Sequence, residues 1–381
     1  MTRSCRPAMT ARIAIPIGDP AGIGPEVTLR ALADPQILTG VEPVLVGCRQ
    51  LLEAQAAALR QRGIAVPHLD RIELIDHPLG GRVRPGSGDA ASGAASFAWL
   101  GLAVKEVLAG HCDAITTAPI AKQCWHAAGH HYPGQTERLA ELAGRAEASM
   151  LFTAVAPSGW RLNVLLATTH IPLRAVPDAL SAELVCHKLN LLRDFCNWFT
   201  PAPSLAVAGL NPHAGERGQL GVEERDWLIP CMEAWQARNP SLRLQGPFPP
   251  DTCWLGAGRA WRRGEGGADG YLALYHDQGL IPVKLLAFDR AVNTSLGLPF
   301  VRTSPDHGTG FDIAGQGRAS GASMVAALLT AVSLAARHCP SRSSTAGKRC
   351  EPHGDSGGSK AVNELGLPSG PPGGIRSISW V

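Results

Sequence analysis

The sequence predicts an α/β fold in two lobes, and three observations carry that prediction. Apolar strand-like runs alternate with helix-like patterns over about 330 residues, the signature of a sheet covered by helices. Residues 205–209 and 271–275 are short unbroken apolar runs, the pattern of strands buried on both faces. The chain has 381 residues, enough for a large core and for two lobes.

The elements follow in order. Residues 12–17 read as a first strand, and residues 26–32 as a helix with Pro25 in its first turn, where the missing N–H leaves no bond unmade. A short strand at 44–46 precedes a helix at 50–61, and a further strand lies at 72–75. Residues 90–108, AASGAASFAWLGLAVKEVL, read as a long helix. A strand at 114–117 leads into the turn at Pro119, and Lys122 starts a helix beyond it. After a helix at 136–142, residues 151–155 and 162–167 are expected to pair antiparallel across the turn-rich link APSGW. Helices at 182–195 and 223–238 alternate with the strands at 205–209 and 271–275, and a helix at 323–337 closes the pattern. From Cys339 to Val381 glycine, serine and proline dominate without periodicity. That stretch cannot bury enough apolar area to offset its ordering entropy, so a disordered tail is expected.

Composition is that of an ordinary globular enzyme, 45% hydrophobic and 18% charged. The formal charge of +3 is too small to imply a nucleic-acid partner, and no long basic stripe interleaves with aromatics. No apolar run approaches the ~18 residues of a membrane span. The start, MTRSCRPAMTARIAIPIGDP, lacks the apolar stretch of a secretory signal. The ten cysteines contain no Cys-x-x-Cys pair, so reduced thiols and a cytoplasmic location are expected.

Three histidines each follow an apolar strand-like run: LNVLLATTH ends at His170, SLAVAGLNPH at His213 and GYLALYH at His276. Strand ends are where α/β proteins open their crevices. One histidine at such a place ordinarily caps a strand and bonds to backbone. Three in the same context point to one shared divalent metal with coordination positions left for a substrate. Neutral imidazoles leave the ion its full charge, so it can act as a Lewis acid on a hydroxyl and then on a carbonyl. Asp277 reads either as a group that orients the site or accepts a proton, or as a turn carboxylate in HDQG.

Other motifs are less decisive. GDPAGIGPE, Gly18 to Glu26, lies between a strand and a helix, the usual place of an anion-binding loop. It lacks the third glycine of the dinucleotide fingerprint, and GSGDAA at 86–91 follows no apolar strand, so a Rossmann site is not predicted. Lys284, Asn293 and Arg302 either converge on a phosphate or are solvated groups at strand edges. Lys122 in TTAPIAK either faces the crevice as an anion binder or base, or stands on the surface. Gln135 and Thr136 open the next helix, where they can donate hydrogen bonds to an anion. No Ser-His-Asp order, Walker loop or HExxH motif occurs.

Taken together, GDPAGIGPE, TTAPIAK, YPGQTE, TTHIPL, GLNPHAGE, GPFPPDT, LYHDQGLIPVK and VNTSLGLPFVRTSPDHGTG resemble the 4-hydroxythreonine-4-phosphate dehydrogenase family of vitamin B6 biosynthesis. The resemblance runs from about residue 11 to about residue 337, with the motifs in matching order. It implies a two-domain α/β/α fold resembling isocitrate and isopropylmalate dehydrogenases, which bind the dinucleotide without a Rossmann fingerprint. By that likeness residues 11–133 with 307–338 make one domain, and residues 134–306 make a second that carries the dimer interface. It implies oxidation of 4-phosphooxy-L-threonine at C3, with NAD or NADP and one divalent metal (Zn, Mg or Co). The oxidised product then loses CO2 to give 3-amino-2-oxopropyl phosphate. His170, His213 and His276 match the metal ligands, and Lys284, Asn293 and Arg302 match substrate-binding positions. Gln135 and Thr136 stand where the family often reads His-Thr; glutamine there removes an ionisable group and keeps a donor. Asp277 and Lys122 are the candidates for the base. The resemblance also implies a homodimer with a shared active site, His276 reaching the metal from the other subunit.

Two rivals follow from the same residues. One is a paralogue that oxidises 4-phosphothreonate or 4-phosphoerythronate, a possibility the change at Gln135 keeps open. The other is a phosphate acyltransferase of similar fold, which would need neither a redox cofactor nor three histidines.

Overall fold

The computed structural model describes residues 10–338. The tail expected at Cys339–Val381 lies outside the described residues. In chain order the first half contains β1 (Ala11–Pro16), α1 (Gly24–Leu32), α2 (Pro35–Leu38), β2 (Val41–Gly47), α3 (Arg49–Gln61), β3 (Glu73–Asp76), α4 (Ala90–Leu108), β4 (Ala114–Thr116), α5 (Lys122–Ala127) and α6 (Gln135–Leu142). It continues with β5 (Ser149–Val155), β6 (Arg161–Leu166), α7 (Val176–Ala179), α8 (Ala182–Asn197), β7 (Ser204–Ala208), α9 (Ile229–Arg238) and β8 (Arg243–Phe248). The last elements are α10 (Leu255–Arg263), β9 (Gly270–Ala273), α11 (His276–Ala287), β10 (Val292–Leu296), β11 (Val301–Pro305) and α12 (Ala322–His338).

The α/β class expected from the alternation is the one observed. Eleven strands form one sheet in the order β3-β2-β1-β4-β11-β10-β5-β6-β9-β7-β8. The strands from β3 to β11 run parallel, as do β6, β9, β7 and β8. Between these stretches, β11-β10, β10-β5 and β5-β6 are antiparallel pairs, the last being the hairpin expected across APSGW. The sheet is thus continuous from residues of the first expected domain to residues of the second, with β11 between β4 and β10.

Period-two alternation explains why helices cover both faces. On β5 and β6, Leu151 and Leu165 point into one core, whereas Phe152, Ala154, Val164 and Leu166 point into another. On β7 and β9 the split repeats, with Leu205, Val207 and Leu272 on the first side and Ala206, Tyr271 and Ala273 on the second. Helix α8 fills the first core with Val185, Leu189 and Leu192, spaced along one helical face. Each such burial is worth roughly 1.5–3 kcal/mol. Helices α10 and α11 fill the second through Ala257, Leu280 and Val283.

Two departures from the sequence reading have local causes. The helix expected at 223–238 opens with a π-turn at Glu224–Leu228, and the α-helix starts only at Ile229. Pro230 has no N–H to return to the preceding turn, so the ladder widens there. Helix α11 was not expected, because Gly279 and Pro282 both disfavour a helix interior. Packing overrides propensity: a Cβ at Gly279 would lie 2.6 Å from Leu166 Cδ2, so glycine is what lets α11 settle on β6 and β9. The edge strand β8 and helix α10 also went unread. All seven cysteines among the described residues are free thiols, and Cys186 alone of these is only half-buried. No described helix is long and apolar enough to cross a membrane.

Candidate functional site

The sheet order itself brings the histidines toward one place. Strands β6, β9 and β7 are parallel neighbours, so their carboxyl ends lie side by side. His170 follows β6 and His276 follows β9; their ring centroids are 5.4 Å apart. His276 is the first residue of α11, and its Nδ1 lies 2.7 Å from Asp277 Oδ1. A carboxylate only accepts, so that contact places a proton on Nδ1 and leaves Nε2 as the ring atom able to meet a ligand. The His170 imidazole is held below its ordinary range, chiefly by desolvation and then by the charges of Lys122 and His276. It is therefore neutral at pH 7, the form that binds a metal.

Both rings border a cavity of about 470 Å³. Lys122, Gln135, Thr136, Lys284, Asn293 and Arg302 line the same cavity. The six come from five pieces of the fold: the start of α5, the start of α6 for both Gln135 and Thr136, the last turn of α11, and strands β10 and β11. Two residues singled out from the sequence do not line it within one chain. Asp277 stands behind His276. His213 stays apart, in the turn after β7, where it is exposed and has a left-handed backbone with φ of 52°. Among the described residues no group of three or more histidine, cysteine or acidic side chains is placed to hold a metal within a single chain. The resemblance assigned His276 to the other subunit. The structure instead sets His276 beside His170 in one chain, because their strands are adjacent, and leaves His213 outside.

The cavity is built to receive an anion. Arg302 is 3% exposed and makes no ion pair among the described residues. Nη1 donates to Ser295 Oγ at 3.2 Å and Nη2 to Thr117 Oγ1 at 2.8 Å, while Nε is buried without a partner. Burial pulls its pKa down to about 10, with Glu137 opposing that fall, so the guanidinium stays charged at neutral pH. A buried cation without a counter-ion is costly unless a ligand supplies one. Lys284 Nζ donates to Asp306 Oδ2 at 2.7 Å across the same wall.

Other polar atoms are also left for a ligand. Gln135 Nε2 donates to Ala118 O at 3.2 Å, so the atom it offers is the buried, unpartnered Oε1. Asn293 Oδ1 and His307 Nε2 are likewise buried without partners. Glu137, Asp306 and His307 belong to the cavity and were not picked out from the sequence, although they lie within the motifs YPGQTE and SPDHGTG.

GDPAGIGPE does not line the cavity. Its donors are spent internally: Asp19 N on Pro119 O, Ala21 N on Asp19 Oδ1, and Ile23 N on Thr309 O. Glu26 Oε1 accepts from Ala319 N at 2.9 Å. The motif staples the loops at 117–119 and 309–319 together.

The family model described as pyridoxal phosphate biosynthetic protein PdxA matches residues 37–331. A 4-hydroxythreonine-4-phosphate dehydrogenase of Synechococcus sp. (strain RCC307) is 61% identical over 330 residues, 85% of this chain and 99% of that protein. A D-threonate 4-phosphate dehydrogenase of Pectobacterium atrosepticum is 40% identical over 342 residues, 86% of this chain and 100% of that protein. A crystal structure of 4-hydroxythreonine-4-phosphate dehydrogenase from Klebsiella pneumoniae aligns with a TM-score of 0.73 at 37% identity, covering 87% of this chain and 99% of that one.

Proposed function

Given that the chain belongs to the pyridoxal phosphate biosynthetic protein PdxA family, we propose that it oxidises 4-phosphooxy-L-threonine at C3, with NAD or NADP as hydride acceptor and a divalent metal as co-catalyst. Loss of CO2 from the oxidised product then gives 3-amino-2-oxopropyl phosphate. The observation that carries this reading is the buried Arg302 guanidinium without an acidic partner, on the wall of a cavity that also presents two imidazoles.

Arg302 and Lys284 bind the phosphate, and Asn293 and Thr136 fix its register. Gln135 offers its carbonyl oxygen to a substrate N–H or O–H. Those contacts hold C3 in one position, so oxidation begins from an oriented molecule. Lys122 lines the cavity and Asp277 does not. Lys122, entering the step as the amine and leaving it as the ammonium, is therefore the residue we assign to take the C3 hydroxyl proton, and Asp277 the one that orients His276.

The donor set fits a metal: two imidazoles from one chain, with Asp277 orienting one of them. By ligand softness it favours zinc or cobalt over magnesium. When bound, the ion supplies Lewis acidity toward the substrate oxygen. A dinucleotide, when bound, supplies the hydride acceptor. The unpartnered His307 Nε2 and the open space beside Gly308 are features that suit a planar ring with a polar substituent.

The third imidazole comes, in this reading, from a second copy of the chain. Exposed apolar side chains stand beside each histidine: Ile171 and Leu173 after His170, Leu220 and Val222 after His213, and Ile281, Leu285 and Phe288 along α11 from His276. Such surface around a polar centre is what an interface covers. A homodimer buries it and brings His213 of the partner subunit to the His170–His276 pair.

The D-threonate 4-phosphate dehydrogenase relative favours a second reading, in which the substrate carries a hydroxyl where the first carries an amino group. One experiment tests both. NAD(P)H formation is followed with 4-phosphooxy-L-threonine and with 4-phosphothreonate, before and after chelation and zinc add-back. Zinc-restored turnover of the amino acid supports the first reading. Turnover of the hydroxy acid alone transfers the assignment to the second, and turnover of neither contradicts both.

A further inference from the structure

The turn that carries His213 has an improbable backbone. His213, Ala214, Gly215, Glu216 and Arg217 have φ of 52°, 51°, 78°, 42° and 60°, a complete left-handed turn in which only one residue is glycine. Each non-glycine residue there brings its Cβ too close to backbone, so the turn persists only if its surroundings enforce it.

One buried carboxylate does so. Glu224 is 1% exposed. Its Oε1 accepts from Leu210 N and from Asn211 N, both at 2.7 Å, and its Oε2 accepts from Asn211 Nδ2 at 2.8 Å. The grip is on the chain immediately before the left-handed turn. The turn packs against the same group, since a Cβ at Gly215 would lie 2.8 Å from Glu224 Oε2 and 2.8 Å from Gly221 O. Gln278, two residues beyond His276, accepts from Leu274 N and donates to Gly209 O, each at 2.7 Å. The base of the His213 loop is therefore tied to the start of α11, while its shape is set by Glu224.

We propose that Glu224 is a positioning residue: it holds the 210–217 segment in the one conformation that presents His213, and so sets the metal affinity of a site completed in the partner subunit. The inference rests on the reading of His213 as a ligand. Glu224 touches neither substrate nor metal, and its effect passes through the loop.

The test uses the full-length protein and zinc chloride, with zinc affinity read by competition against a chromophoric chelator and folding read by circular dichroism. Glu224→Ala is expected to raise the zinc dissociation constant about 10–100-fold, the range seen when a group that orients a ligand is lost. His213→Ala gives the ceiling, and the double variant is expected to be no weaker than His213→Ala alone. A folded Glu224→Ala with wild-type zinc affinity, or a double variant in which the two losses multiply, overturns the inference. Wild-type zinc affinity in His213→Ala instead overturns the ligand reading on which it rests. Should Glu224→Ala fail to fold, Asn211→Ala removes the Oε2 contact, together with the Asn211 Nδ2 bond to Glu223 Oε2, and leaves both Oε1 bonds in place. It is expected to weaken zinc several-fold, and unchanged affinity in that folded variant also overturns the proposal.

Discussion

Arg302→Met should stabilise the empty protein and disable the loaded one. In the ligand-free chain the fall of the guanidinium pKa from 12.5 to about 10 corresponds to about 3 kcal/mol of unfavourable charge burial. The two hydrogen bonds to Ser295 and Thr117 return about 1 kcal/mol each. Methionine fills similar volume without a charge, so the variant should be as stable as the wild type or more so, by about 1 kcal/mol. With a phosphate bound the sign reverses. Each charge-assisted bond contributes about 1.5–3 kcal/mol, and two of them correspond to a fall in kcat/KM of about 10²–10⁴-fold. Urea unfolding without ligand, thermal shift with inorganic phosphate, and steady-state turnover measure the three quantities. A variant that is several kcal/mol less stable when empty, yet keeps its phosphate-induced thermal shift, would refute the assignment of Arg302 to the anion site.

Three further predictions follow from single groups. Lys122→Met should lower kcat about 10²–10⁴-fold with a smaller change in KM, and a fall under tenfold would remove Lys122 from the proton transfer. Asp277→Asn should weaken zinc binding about 10–100-fold by releasing the His276 tautomer, as read by chelator competition; unchanged affinity would deny it that role. Burial raises the Asp19 carboxyl pKa, with the Ala21 N–H opposing it. A carboxyl raised on folding contributes stability that is full below its unfolded value, near about 3.9, and is lost as pH rises through the folded value. The stability of the wild type relative to Asp19→Asn should thus fall as pH rises above about 4 in urea titrations, and a constant difference would contradict it.

Much of this architecture was legible in the residues because alternation and strand burial are local signals. The unbroken apolar runs before His170, His213 and His276 gave their strands, and neighbouring strands put their ends together. Helix α11 was not legible: Gly279 and Pro282 argue against it locally, and only the close approach to Leu166 explains them. The spacing of Lys284, Asn293 and Arg302 was neutral between a phosphate site and strand edges. What favours the first of those readings is that Arg302 is buried without an acidic side chain paired to it among the described residues, a fact of three-dimensional packing. GDPAGIGPE looked like an anion loop because glycine and position suggest free amides, but the folded chain spends the Asp19, Ala21, Gly22 and Ile23 amides on the motif and its neighbouring loops and keeps the motif off the cavity wall. Glu224 had no signal at all, since its partners, two backbone amides and the Asn211 side chain, lie 13 and 14 residues away.

The claim that one site draws imidazoles from two chains is tested most directly by mixing two inactive variants. His170→Ala and His213→Ala are each expected to lose NAD(P)H formation, and subunit exchange between them should restore about a quarter of wild-type activity, because half the dimers then carry one intact site. A mixture no more active than either variant alone, with exchange verified, would contradict the shared site.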